Sequence, residues 1–288
     1  MRKFIAFDGQ NFQKAGSYTE LEATLPTEGW QTHDLGVCSD GVNHVYGFSL
    51  GSLSQPMIFI EGTIHGGHEW RCAHWLKMFM EIMSNPENYP QAEVIYKIRS
   101  KFCIYVIPCL NPYGYENNNY CNANGVNLNR NFDAYWSSFD DSNDACTNGK
   151  GPSAFSEPET QMVRDLVQQF KPIVFVDNHT WGGYEGSYLE IELSGKEYGI
   201  LLEDLNKSLR LTLGRNDLLL SYYGSQAPRS SEWAGQQISK AGINTIPITF
   251  EPGSLEAEKE QARIGINAMF LICYYTLRWF EERRLILN

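Results

Sequence analysis

Four short runs of this sequence carry residue types that could do chemistry together. The first is Ile58-Phe59-Ile60-Glu61-Gly62-Thr63-Ile64-His65-Gly66-Gly67-His68-Glu69-Trp70, where an apolar run ends, two glycines follow a histidine, and a helical pattern begins at Glu69. A histidine and a glutamate separated by a tight turn can converge on one ion, and imidazole with carboxylate suits zinc. The plainer alternative is that Glu69 caps the helix while His65 satisfies a local hydrogen bond. The second run is Val174-Phe175-Val176-Asp177-Asn178-His179-Thr180, which delivers a histidine at the end of another apolar stretch. Alone, His179 would read as a satisfied structural residue. Beside the first run, it supplies the third ligand of a two-histidine, one-glutamate catalytic site whose fourth position is left for water.

The third run, Gly125-Val126-Asn127-Leu128-Asn129-Arg130-Asn131-Phe132, places an Asn-Arg pair in a polar stretch. A guanidinium grips a carboxylate in bidentate fashion, although a solvated surface arginine would look the same in isolation. The fourth, Ile246-Pro247-Ile248-Thr249-Phe250-Glu251-Pro252, closes an apolar strand with a glutamate. A carboxylate cannot stay deep in a core unpaired. Glu251 therefore either faces solvent at a strand end or sits where its pKa is tuned for base work.

These runs need a frame that brings strand ends together. Short apolar stretches alternate with amphipathic ones, which predicts an α/β sheet covered by helices on both faces. Strands are expected at Met57–Glu61, Phe102–Pro108, Ile173–Asp177, Tyr188–Leu193 and Ile246–Phe250, their continuous apolar character fitting central positions. Helices are expected from Glu69 to Met83, after a capping box at Ser156-Glu157-Pro158-Glu159, and from Glu256 to about Leu285. Open α/β sheets bind ligands at the carboxyl ends of their strands, where His65 and His179 would lie. The stretch from Asn111 to Gly151 is rich in Asn, Gly, Ser and Asp, and a loop that long is usually functional.

Composition narrows the partners. The chain has 288 residues, 42% hydrophobic and 13% aromatic, enough to bury a large interior. Its net charge is −11, from 34 acidic and 23 basic residues, which argues against nucleic acid or an anionic membrane as partner. The first apolar stretch stops at Asp8 and the run Ala268 to Phe280 is short, so neither a signal peptide nor a membrane span is read and a cytoplasmic location is expected. Seven cysteines without a CxxC pair fit free thiols in a reducing compartment. Cys121 and Cys146, in the loop-rich stretch, are the pair best placed for a disulfide. No Gly-x-Ser-x-Gly elbow is expected on a strand-to-helix turn, which disfavours serine chemistry.

Taken in order, the chain resembles the zinc carboxypeptidase family from about Tyr18 to its end. The likeness rests on the His65 to Trp70 strand end, Asn111-Pro112-Tyr113-Gly114-Tyr115, Gly125 to Asn131, Phe155-Ser156-Glu157-Pro158-Glu159-Thr160, His179, Ser231-Glu232-Trp233 and Thr249-Phe250-Glu251. The resemblance implies one Zn2+ held by His65, Glu69 and His179, with Glu251 as the base that activates water. It further implies Asn129 and Arg130 as the grip on a peptide's terminal carboxylate and Tyr223 as a substrate-capping residue. It implies a single catalytic domain over residues 1–288, an α/β fold with a mixed, mostly parallel sheet of about eight strands.

Three departures stand out. The first His and Glu are four apart rather than three, so His68 competes with Glu69, which Trp70 favours. Asn127 stands where the family has an Asp beside the first zinc histidine. Residues 117–122 hold no counterpart of the family's oxyanion arginine, which leaves Tyr120, an Asn, Arg71 or Arg229 for that duty. The expected reaction is hydrolysis of a peptide's C-terminal amide bond. The alternatives are an amidase or peptidoglycan peptide hydrolase on the same scaffold, or a non-catalytic carboxylate-binding module.

Overall fold

The computed structural model describes residues 3–180, 187–222 and 226–287. Its elements run α1 (Tyr18–Ala23), β1 (Gln31–Val37), β2 (His44–Leu50), β3 (Met57–Gly62), α2 (Arg71–Ser84), α3 (Ala92–Lys101), β4 (Cys103–Ile107) and α4 (Pro112–Asn117). They continue α5 (Pro158–Phe170), β5 (Val174–Asn178), β6 (Ser187–Ile191), α6 (Gly199–Leu213), β7 (Leu218–Tyr222), α7 (Ser230–Gly235), β8 (Ile246–Pro252) and α8 (Glu258–Leu287).

One mixed sheet of eight strands runs in the order β1-β2-β4-β3-β5-β8-β6-β7. Its centre, β4-β3-β5-β8, is parallel throughout, while β1, β2 and the β6-β8 pairing are antiparallel. Strands β3, β4 and β5 are buried at every position, which explains their apolar runs at 57–60, 103–107 and 174–176, with the buried polar residues Glu61, Asp177 and Asn178 at the ends of β3 and β5.

Alternation along these strands feeds two cores. Ile58, Ile60, Ile104, Val106, Val174 and Val176 pack with α2, α3, α6 and α8. Met57, Phe59, Tyr105 and Phe175 point the other way, onto Val163 and Val167 of α5 and Trp233 of α7. The apolar C-terminal stretch becomes part of α8, a single helix lying against α2 and α6. No helix among the described residues is long and apolar enough to cross a membrane.

Two local expectations need correction. Ser156 does not cap α5: the N-cap is Glu157, without a side-chain cap bond. Tertiary partners claim the capping-box residues instead, Ser156 Oγ meeting Asn131 and Glu159 Oε1 accepting from Ser39 N–H and Oγ–H. The free-thiol reading also fails at one pair, because Cys121 and Cys146 form a disulfide; Cys38, Cys72, Cys103, Cys109 and Cys273 are buried thiols.

Candidate active site

Three adjacent parallel strands deliver the site. His65 follows β3, His179 follows β5 directly, and Glu251 lies near the end of β8. Their order in the sheet therefore brings together residues up to 186 positions apart, counted from 65 to 251.

The turn after β3 is shaped by backbone contact. Thr63 adopts φ of 60°, a conformation that a β-branched residue rarely takes. Its hydroxyl donates to Pro108 O at 3.0 Å, anchoring the turn to the end of β4. Residues Gly66–His68 then form one 3-10 turn packed onto α4. A Cβ on Gly66 would stand 2.4 Å from Gly114 Cα, and one on Gly67 would stand 2.3 Å from Asn118 Cα. The Gly66-Gly67 pair and the Gly of Asn111-Pro112-Tyr113-Gly114 are thus two sides of one close approach. That tight turn absorbs the additional residue between His65 and Glu69.

The result is a buried triangle of His65, Glu69 and His179, whose donor atoms all lie within 4.8 Å of one another. Glu69 Oε1 is 3.0 Å from His65 Nδ1 and 2.9 Å from His179 Nδ1. Each ring turns its other nitrogen outward to an oxygen. His65 Nε2 lies 3.2 Å from Asn127 Oδ1, and His179 Nε2 lies 2.7 Å from Asp177 Oδ2. Such outward contacts orient each ring so that Nδ1 is the nitrogen on the inner side, the one that would ligate a metal once it gives up its proton. Two imidazole nitrogens and a carboxylate, oriented in this way, fit zinc. His68 lies apart from the triangle: its side chain is exposed and meets the edge of Tyr120.

Electrostatics agree with that arrangement. Burial would raise Glu69, but His179 and His65 hold its carboxyl far below the usual range. Burial lowers the pKa of His65. For His179 burial acts the same way, yet Asp177 and Glu69 outweigh it and push the pKa well up. The carboxylates around the ring favour positive charge at this point, whether carried by a proton or by a metal that displaces it.

A cavity of about 300 Å³ opens onto the triangle, lined also by Tyr120, Asn129, Arg130, Thr180, Arg229, Thr249 and Glu251. Desolvation raises Glu251 to about 7, so it is poised to exchange protons near neutrality. Arg130 joins the wall, its Nη1 donating to Asn129 O at 2.7 Å. Asn129 is more committed than its sequence suggests: Nδ2 meets Asp177 Oδ2 at 3.1 Å, and Oδ1 accepts from Ser230 N–H at 2.9 Å. Arg71 is drawn to Glu258 at 3.4 Å and does not line the cavity, whereas Arg229 does. Tyr223 falls outside the described residues.

Several neighbours were not singled out from the sequence. Asp177 holds His179, and Asp144 accepts from Asn127 Nδ2 at 3.0 Å. Glu190 and Glu192 of the β6 segment reach Arg229 Nη1 at 3.6 and 3.4 Å. Burial, with repulsion from Glu251, lifts Glu190 to about 8. One signal was available: Glu190 and Glu192 alternate with Leu189 and Ile191, placing two acids on one strand face. A Gly47-Phe48-Ser49-Leu50-Gly51 run does occur, but it spans β2 and its end rather than a strand-to-helix turn, and Ser49 Oγ pairs with His33 Nε2 at 2.8 Å.

Comparison with known proteins follows the same lines. A family model described as zinc carboxypeptidase matches residues 41–186. Carboxypeptidase B of Helicoverpa zea is 28% identical over 208 residues, covering 59% of this chain and 46% of its own. Human mast cell carboxypeptidase A is 27% identical over 143 residues, covering 44% of this chain and 34% of its own. The chain thus spans under half the length of these curated relatives. Among solved structures, bovine thrombin-activatable fibrinolysis inhibitor, in complex with tick carboxypeptidase inhibitor, superposes with TM-score 0.72 at 17% identity, over 92% of this chain and 96% of that one. A metallo-carboxypeptidase from Burkholderia cenocepacia gives TM-score 0.68 at 17% identity, over 89% and 67%. At such identities these two establish the likeness of fold.

Proposed function

Because this chain belongs to the zinc carboxypeptidase family, we propose that it hydrolyses the C-terminal amide bond of peptides, with one zinc held by His65, Glu69 and His179. The observation that carries this reading is the convergence of those three side chains on one point at the mouth of a cavity that Glu251 also lines. Zinc held there would supply Lewis acidity toward a carbonyl oxygen and acidify a water.

The protein's own residues would do the rest. Glu251, at a pKa of about 7, takes a proton from water on its carboxylate and returns it to the leaving amine nitrogen. Arg130, with Asn129 holding its position, offers charge to the substrate's free carboxylate. Tyr120 and Arg229 are the groups at hand for the developing oxyanion, since both line the cavity and Arg71 does not. Tyr223 is retained as the capping residue on the family resemblance alone.

We take residues 1–288 as one catalytic domain, on the continuous eight-stranded sheet. The Cys121–Cys146 bond supports an oxidising compartment rather than the cytoplasm, because such bonds do not persist among reduced thiols. Elemental analysis tests the metal assignment. One zinc per chain is expected, lost in His179→Ala because a two-ligand site releases metal readily. Full occupancy in that variant would sink the assignment.

A further inference from the structure

We propose that Asp144 is a positioning residue for the metal centre, acting on His65 through the side-chain amide of Asn127. The inference rests on His65 being a metal ligand. Its basis is a chain of hydrogen bonds from the polar loop to the ring. Asn127 Oδ1 lies 3.2 Å from His65 Nε2 and accepts from Asn129 N–H at 3.1 Å. Asn127 Nδ2 donates to Asp144 Oδ2 at 3.0 Å. The Asn129 and Asp144 contacts fix which end of the amide is oxygen, so His65 Nε2 is the donor to it, which leaves Nδ1, on the side of Glu69 and His179, as the nitrogen that would ligate a metal.

A neutral amide is a weaker acceptor than a carboxylate, and here a carboxylate stands one group further out. By accepting from Nδ2 it polarises the amide and strengthens Oδ1 as an acceptor for the histidine N–H. The charge that orients His65 is therefore supplied by Asp144 and transmitted by Asn127.

The loop is built to hold that carboxylate in place. Asp144 Oδ1 accepts from Cys146 N–H at 2.8 Å, so the aspartate is tied two residues from the disulfide. On the other side of the same bond, Cys121 follows Tyr120, whose ring stacks on His65 at 4.0 Å between centroids and 8° between planes. Asn127 N–H donates to Gly149 O at 2.8 Å, which fastens the relay residue to the same loop. One covalent bond thus secures both the face and the edge of the His65 ring.

The test compares zinc affinity, measured by competition with a chromophoric chelator, in the parent, Asp144→Asn and the exchange variant Asn127→Asp/Asp144→Asn. The single substitution keeps shape but removes the charge and turns one of the two accepting oxygens into an amide that faces a donor, and a loss of about tenfold or more is expected. The exchange keeps every hydrogen bond while moving the carboxylate directly onto His65 Nε2, and should return affinity to within about threefold of the parent, a margin well inside that loss. An Asp144→Asn protein that binds zinc like the parent would overturn the proposal, as would an exchange variant as weak as the single one. A parent that binds no zinc would overturn the metal-site reading itself, a separate outcome.

Discussion

Glu69 Oε1 stands 2.9 Å from His179 Nδ1, although 110 residues separate the two in sequence. The contact joins the turn after β3 to the end of β5, and both side chains are buried. A carboxylate and an imidazole held in this way cost desolvation that a bound cation would offset. The same turn exposes His68, the residue at the spacing that the family uses for its glutamate.

Glu69→Ala should therefore lower zinc affinity by several orders of magnitude, because one of three ligands is gone. His68→Ala should leave affinity within about threefold, since outer partners of a ligand matter by roughly tenfold or more and His68 is not even one of these. Chelator competition on both variants decides between them. The reverse order would transfer the ligand role to His68.

Glu251→Gln should bind zinc as the parent does and lose about 10²- to 10⁴-fold in kcat, because an amide cannot shuttle a proton. The pH profile carries the same signature. Glu251 works ionised, so activity should be present above its pKa and fall as pH drops through it. Burial places that pKa at about 7, and a cation nearby would draw the acid limb lower. Near-parental turnover in the variant would remove Glu251 from the mechanism.

Arg130→Ala should chiefly damage hydrolysis of peptides with a free terminal carboxylate. A partly buried, charge-assisted pair is worth roughly 2–4 kcal/mol, or about 30- to 1,000-fold in kcat/KM. Arg229→Ala is the comparison, because Arg229 shares the cavity wall but is held by Glu190 and Glu192. A larger free-acid defect in Arg229→Ala would make it the anchor.

The sequence shows the centre of this fold more clearly than its edges. Strands β3, β4, β5 and β8 announce themselves because burial on both faces favours continuous apolar runs over most of their length. The edge strand β1 does not, since most of its positions are exposed or half-buried and no apolar face repeats. His65, His179 and Glu251 were legible for a related reason: each closes such an apolar run. Glu69 was legible as the favoured candidate through Trp70, and the path of the Gly66-Gly67 turn, which leaves His68 outside the triangle, depends on contact with Gly114 and Asn118. The roles of Asp144, Glu190 and Glu192 depend on partners 17 or more residues away, and that of Asp177 on the ring orientation of His179 two residues on, which sequence spacing alone does not give. Ser156 and Glu159 fit a local capping pattern, and tertiary hydrogen bonds to Asn131 and Ser39 prevailed over it.

Release of the C-terminal residue from a free-acid peptide, set against the same peptide with an amidated end, tests the central claim most directly. A carboxypeptidase that reads the terminal carboxylate through Arg130 should cleave the free acid at least about 30-fold faster in kcat/KM, the lower bound for losing that charged contact. Equal cleavage of the two substrates would contradict the account and make the protein an endopeptidase or amidase.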